Sequence, residues 1–283
     1  MSSLRRTDLL SLSQLRNDGR KSNEIRRMRI QMSPISGGGG SKHVSGSALV
    51  QMGLTVALAS VRGPMECIRR SDELPDRAIL DVTVRQAPFA PSNSDRRYIN
   101  PNTDRRLLEQ SNLIKRAMEA SILLHLHPKG RIEINVIVLA DDGGRLCACI
   151  NAVTLALIDA GVPMKDMVCA CSAGLAPGLS LGGSGGDGGS GAEIIDLNKL
   201  ETMGMGGESA VYLPCAIMPQ RGTVVLAQCE SRLNVKIFER VMEAAMEGCR
   251  AVFDVMQAAV RERSSTLLAA KNGNAFIETP FDL

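Results

Sequence analysis

The chain has 283 residues, of which 44% are hydrophobic but only 2% aromatic, with five Phe, two Tyr and no Trp, and its formal net charge is +3. That length suffices for one large domain or two closely packed small ones around an aliphatic core. It lacks the aromatic platforms on which many single-strand binders stack bases, so any grip on nucleic acid must rest mainly on phosphates.

Residues 1–16 are polar and expected to be flexible or only locally ordered. Asp18-Gly19-Arg20 reads as a turn into an alternating, strand-like stretch at 24–32, followed by the glycine-rich loop SGGGGSKH between 34 and 47. Apolar strands flank Met52-Gly53 across residues 47–61, which predicts a hairpin. Residues 79–87 read as a strand and 90–106 as a polar loop. A long helix is predicted from about 105 to 127, behind an Asp104 N-cap and stopped by Pro128. Residues 132–139 form a strand, and 145–160 a helix stopped by Gly161 and Pro163. Strands follow at 167–175, 194–197, 210–217 and 223–229, then a third long helix at 235–263. Hairpins mixed with crossovers predict an α+β fold.

Charge is uneven. Residues 1–150 carry 23 Lys and Arg against 15 Asp and Glu, and the rest carries 10 against 15. Five Arg-Arg pairs fall in the first half, at 5–6, 26–27, 69–70, 96–97 and 105–106. Any one pair reads first as a solvated face; five together favour a polyanion partner. The eight cysteines include no C-x-x-C. Cys147 and Cys149 should point to different faces of a helix, and Cys169 and Cys171 should share one face of a strand. Buried free thiols are favoured over zinc. No secretory signal is visible and no apolar run approaches ~20 residues, so a reducing, soluble compartment is expected.

Two glycine runs fail as phosphate loops: the one at Gly37 lacks a glycine directly before its lysine, and the one at Gly182 has no lysine. The stretch DDGGRLCACINA from Asp141 is different. It sets Gly143-Gly144-Arg145 at the head of an apolar helix, where free N–H groups, the helix dipole and a guanidinium favour an anion. Farther on, DLNKLET supplies Asp196 at a strand end, with Thr202 rather than a carboxylate six residues later. Phosphate can be held here, while acid–base chemistry is impaired. Plainer roles exist as well: Asp196 as a turn cap, and Arg145 paired with Asp141 or Asp142.

The segments DGRKSNEIR at Asp18, SALVQMGLTVALASVRGP, LPDRA at Leu74, NPNTDRR, LADDGGRL, DAGVPMKD and DLNKLE, in collinear order from Asp18 to Arg263, resemble the RNase PH family. In particular they resemble a eukaryotic exosome ring subunit, the counterpart of the archaeal catalytic subunit, and CACSAG at Cys169 favours the eukaryotic branch. The resemblance implies an RNase PH-like βαβα-type α+β domain over residues 18–264, with a glycine-rich insertion at 182–191, a flexible segment at 1–17 and a tail at 265–283. It implies a ring of RNase PH-like subunits around single-stranded RNA, with RNA-binding cap proteins and a separate hydrolytic nuclease. It further implies 3′–5′ RNA processing and degradation, ribosomal RNA included, in the nucleus, nucleolus and cytoplasm. By position, Gly143, Gly144 and Arg145 match the phosphate-binding turn, Arg105 and Arg106 the pair that grips RNA, Arg69 and Arg70 the channel loop, and Asp196 the first catalytic aspartate.

Two departures stand out. Thr202 takes the place of the second aspartate, and Gly144 that of a Ser or Thr. Glu201 lies next to the gap, but neighbours on an extended segment would face opposite ways. An RNA-binding ring subunit without its own phosphorolysis is therefore favoured, Asp196 being vestigial. The alternatives are an active phosphate-dependent exoribonuclease releasing nucleoside diphosphates, and an assembly subunit with incidental RNA contact. No cofactor is firmly implied; inorganic phosphate and Mg enter only if the site is active.

Overall fold

The computed structural model describes residues 15–16, 18–35, 44–67, 73–90, 104–177, 191–202, 211–229, 231 and 233–271. Nine strands and four α-helices are found among them. Strands β1 (Met28–Met32), β2 (Gly46–Met52), β3 (Thr55–Glu66), β4 (Ile79–Gln86) and β5 (Gly130–Ala140) form one sheet in the order β1-β2-β3-β5-β4. Its pairs are antiparallel except for the parallel β4–β5 pair. The second sheet is antiparallel, ordered β7-β6-β8-β9, from β6 (Cys169–Pro177), β7 (Gly191–Ile195), β8 (Val211–Met218) and β9 (Thr223–Ala227).

Between the sheets runs α2 (Arg145–Asp159), packed on β2 and β3 on one side and on β6 and β8 on the other. Its apolar sequence fits that place, since twelve of its fifteen residues are buried. Both Cys147 and Cys149 are therefore buried, although they face different ways. Asn151 fastens the helix to the second sheet, its side chain donating to Ala170 O and accepting from Ala170 N at 2.9 and 2.8 Å. At its far end, the start of β2 comes so close that a Cβ on Gly46 would lie 2.3 Å from Ala160 N. There the Asp159 carboxylate takes hydrogen bonds from Ser33 Oγ and Ser47 N.

Helix α1 (Arg105–Ser121) starts where expected, with the Asp104 carboxylate accepting from Arg106 N at 2.9 Å. It stops six residues before the expected His127, because Ile122 turns extended and bridges to Met164. A short 3₁₀ turn at Leu124–Leu126 follows. Helix α4 (Val235–Lys271) lies on β6, β7 and β8. It runs on through residues 265–271, which were expected to form a tail, as no Gly or Pro interrupts the chain between Gly248 and Gly273. Cys169 and Cys171 both face α4, the first with its sulfur 3.8 Å from that of Met256. All eight cysteines are free. No helix among the described residues is long and apolar enough to cross a membrane. The glycine run at 37–40 and residues 182–190 of the insertion lie outside the described residues, whereas Gly191 opens β7.

Candidate functional site

The site is built on the turn between β5 and α2. Gly143 and Gly144 adopt φ +87° and +65°, which L side chains rarely do. A Cβ on Gly143 would lie 2.7 Å from Lys199 N, so only glycine lets residues 197–199 pack against the turn. Thr55, fully buried at the start of β3, clasps it from behind: its hydroxyl donates to Gly143 O at 2.8 Å and accepts from Asp142 N at 3.0 Å. Arg26 completes the clasp, donating to Asp142 O at 3.1 Å and Gly143 O at 3.2 Å. Burial pushes the Asp142 carboxyl up, with the Arg26 charge opposing. Beyond the turn, α2 begins without a side-chain cap, leaving its first-turn N–H groups without intrahelical acceptors.

Gly144, Arg145 and Leu146 open onto a cleft of about 790 Å³. Arg106 and Glu109 of α1, Lys199 and Thr202, and Tyr212 and Pro214 of β8 also line it. Arg145 has its Nη1 3.3 Å from Gln86 Oε1 and 3.5 Å from Asp141 Oδ2, so it pairs locally while lining the cleft. Of the expected arginine pair, Arg106 reaches the cleft, whereas Arg105 is 90% exposed and pairs with Glu109 at 3.0 Å. Arg69 and Arg70 lie outside the described residues.

Asp196 stands behind the turn and is not part of the cleft lining. It is 1% exposed at φ +55°, and its carboxylate accepts from Arg26 Nη2 at 2.7 Å, Arg26 Nε at 3.0 Å and Arg26 N at 2.9 Å. Burial works against the Arg26 charge, but the Asp196 carboxylate outweighs it and holds the guanidinium above its ordinary range. The geometry of Asp196 is that of a structural anchor.

Residues Lys199–Thr202 form a helical turn, α3, rather than an extended segment. Asn198 and Glu201 exchange hydrogen bonds at its start, each side chain accepting from the other's backbone N–H at 2.9 Å. This is a capping box, and the N-x-x-E pattern that signals it is visible in the sequence. The helical geometry sends Glu201 to Arg16 and Thr202 into the cleft. Arg16, expected in a flexible segment, is 3% exposed, and it also donates to Ile195 O at 2.6 Å and Asp196 O at 2.9 Å. Glu201 therefore cannot substitute for the absent aspartate, because its carboxylate is held by Arg16 on the side away from the cleft.

Nor does Gly144 mark a hydroxyl lost from the cleft. A Cβ there would lie 2.7 Å from Arg26 Nη2 and point toward Asp196 and Ser172. Arg16, Arg26 and Thr55 are the contributors that sequence reasoning missed; Arg26 sits inside DGRKSNEIR but carries no local signal of its role. A divalent cation does not fit either. Asp196 and Glu201 are committed to arginines, Asp141 pairs with Arg145, and among the described residues no group of three potential ligands converges.

Residues 24–163 match the RNase PH model, described as the 3′ exoribonuclease family, domain 1. The chain is 38% identical over 257 residues to mouse exosome complex component RRP41, covering 90% of this chain and 94% of that protein. It is 34% identical to exosome complex component ski6 of Schizosaccharomyces pombe, over 93% of this chain and 98% of the relative. It is 35% identical to Rrp41 of Thermococcus kodakarensis, over 92% of this chain and 93% of the relative. Among solved structures, rice Rrp46 superposes with a TM-score of 0.68 at 22% identity, over 87% of this chain and all of that one. The Archaeoglobus fulgidus exosome with RNA bound to its active site gives 0.63 at 21%, over 87% of this chain and 94% of that one.

Proposed function

Because the chain belongs to the RNase PH family of 3′ exoribonucleases, we propose that it is a core-ring subunit of an RNA exosome that holds the 3′ end of a single strand without phosphorolysis of its own. Relatives named as exosome components in animals, fungi, plants and archaea support the ring assignment. Its partners are then other RNase PH-like subunits, RNA-binding caps and a separate hydrolytic nuclease, working on RNA, ribosomal RNA included, in nucleus, nucleolus and cytoplasm.

One observation carries the catalytic half of this reading. The glycine turn keeps Arg145 and an uncapped helix N-terminus, while the nearby acids Asp196 and Glu201 are each locked to a buried arginine and the remaining position, Thr202, is a hydroxyl. Phosphoryl transfer depends on positioning and charge neutralisation, and a positioned acid adds about 10²–10⁴-fold. Helix α2, Arg145, Lys199 and Arg106 supply charge for phosphates. The carboxylates on the cleft lining, Asp141 and Glu109, are paired with Arg145 and Arg105, so among the described residues no acid stands ready to protonate a leaving oxygen. Binding and turnover therefore separate.

The test is a reconstituted ring free of hydrolytic nuclease, given 3′-labelled RNA and inorganic phosphate. RNA retention without nucleoside diphosphate release is the expected result. Phosphate-dependent diphosphate release that Asp196→Asn abolishes would overturn it in favour of an active phosphorolytic subunit. Absence of RNA crosslinking to this chain within the ring would favour an assembly role.

A further inference from the structure

The cleft is larger than an anion requires, and its lining is mixed in character. Beside the Gly143-Gly144-Arg145 turn, Arg106 and Lys199 it includes Leu113, Leu146, Tyr212 and Pro214. Its volume, about 790 Å³, leaves room beside the glycine turn, and ligand sites commonly join an apolar surface to a few placed polar groups. Inorganic phosphate would use only the charged groups. A ligand that uses the apolar ones as well has an anionic end and a flat or apolar body.

Tyr212 is the aromatic residue of that surface, in a chain with five Phe, two Tyr and no Trp. It lies on the face of β8 that also carries Pro214, and its cross-strand partner on β6 is Gly174, over which the buried Leu197 side chain packs. Burial pushes its phenol well above the ordinary range, so the ring stays neutral in the presence of the neighbouring cations. A neutral, half-buried ring beside an anion site suits the face of a nucleobase, since stacking tolerates any base.

We propose that Tyr212 is a positioning residue for the terminal nucleotide of the bound RNA, its ring packing against the base while a phosphate rests on the Gly143-Gly144-Arg145 turn. This rests on the RNA-binding reading above and adds to it the nucleoside half of the site.

The test titrates a short oligoadenylate and, separately, inorganic phosphate into the full-length chain and its Tyr212→Phe and Tyr212→Ala variants. Tyr212→Phe should bind the oligonucleotide like the parent, and Tyr212→Ala about 5- to 150-fold more weakly, the worth of one base–aromatic stack. Phosphate affinity should be the same in all three. A second readout does not depend on the alanine variant folding. With two Tyr and no Trp in the chain, Tyr98→Phe leaves Tyr212 as the intrinsic fluorophore, and oligoadenylate should quench it while phosphate does not. Equal oligonucleotide affinity in Tyr212→Ala, or no quenching on binding, overturns the assignment and leaves the ring-subunit reading intact. A parallel fall in phosphate affinity also overturns it, because Tyr212 would then shape the anion site. Absence of RNA binding by both the parent chain and the ring defeats the RNA-binding reading and this inference with it.

Discussion

Arg26 and Asp196 meet fork to fork beneath the glycine turn, with Nη2 2.7 Å from Oδ1 and Nε 3.0 Å from Oδ2, at 5% and 1% exposure. The same guanidinium reaches Asp142 O and Gly143 O. The pair therefore links the strand-end aspartate to the glycine turn. Arg26→Ala would strand a buried carboxylate and is expected to cost about 3–5 kcal/mol, measured by urea unfolding. A destabilisation below about 1 kcal/mol would mean that water satisfies Asp196.

Arg16 ties down α3 through Glu201. Arg16→Ala should loosen residues 196–202 and raise the rate of tryptic cleavage after Lys199, with far less effect on cleavage after Lys115 and Arg116 in α1. Equal cleavage in parent and variant would show that the capping box of Asn198 and Glu201 suffices alone.

Gly144→Ser should destabilise the fold by about 1 kcal/mol or more, because φ +65° is strained for serine and its Cβ would press on Arg26 Nη2 at 2.7 Å. Thermal unfolding checks this. Combined with Thr202→Asp, it should not restore phosphorolysis, because the new hydroxyl would lie behind the turn.

Salt dependence separates charge from shape. Changing Arg106 and Arg145 to Ser should weaken RNA binding by the ring and lower the log–log salt slope by about 0.7 for each phosphate that is no longer neutralised. Titration at several ionic strengths measures it, and an unchanged slope would move the RNA path away from this cleft.

Thiol labelling tests the core. Six cysteines are buried, while Cys67 is partly buried and Cys229 exposed. Burial pushes the Cys149 thiol up to about 12 and raises Cys147, Cys169 and Cys171 as well. Both inaccessibility and lack of thiolate slow reaction. A maleimide should modify two thiols per folded chain and the rest only on unfolding; faster labelling of Cys215 or Cys249 would reveal opening of α4 from its sheet.

Sequence periodicity carried the fold a long way, because most elements are amphipathic or wholly buried and end at Gly or Pro. The Met52-Gly53 hairpin, the Asp104 cap and α2 lie where the pattern puts them. Where it failed, a distant partner decided the outcome: Met164 ends α1 by bridging Ile122, and Glu201 orders Arg16 across 185 residues of chain. The anion turn was legible as local glycine and helix chemistry. Its supports were not, since Arg26 and Thr55 look like any strand-end arginine and threonine until the sheet brings them beneath residue 143.

The close approach of Gly46 to Ala160 has a bearing on what the cleft can accept. One hairpin holds α2 at both ends, through Thr55 of β3 at the turn and through Gly46 of β2 where the helix finishes. A helix fastened head and foot to the same pair of strands cannot slide along its axis to suit a ligand. The glycine-turn side is thus a fixed ruler, and differences in ligand size must be taken up elsewhere in the cleft lining.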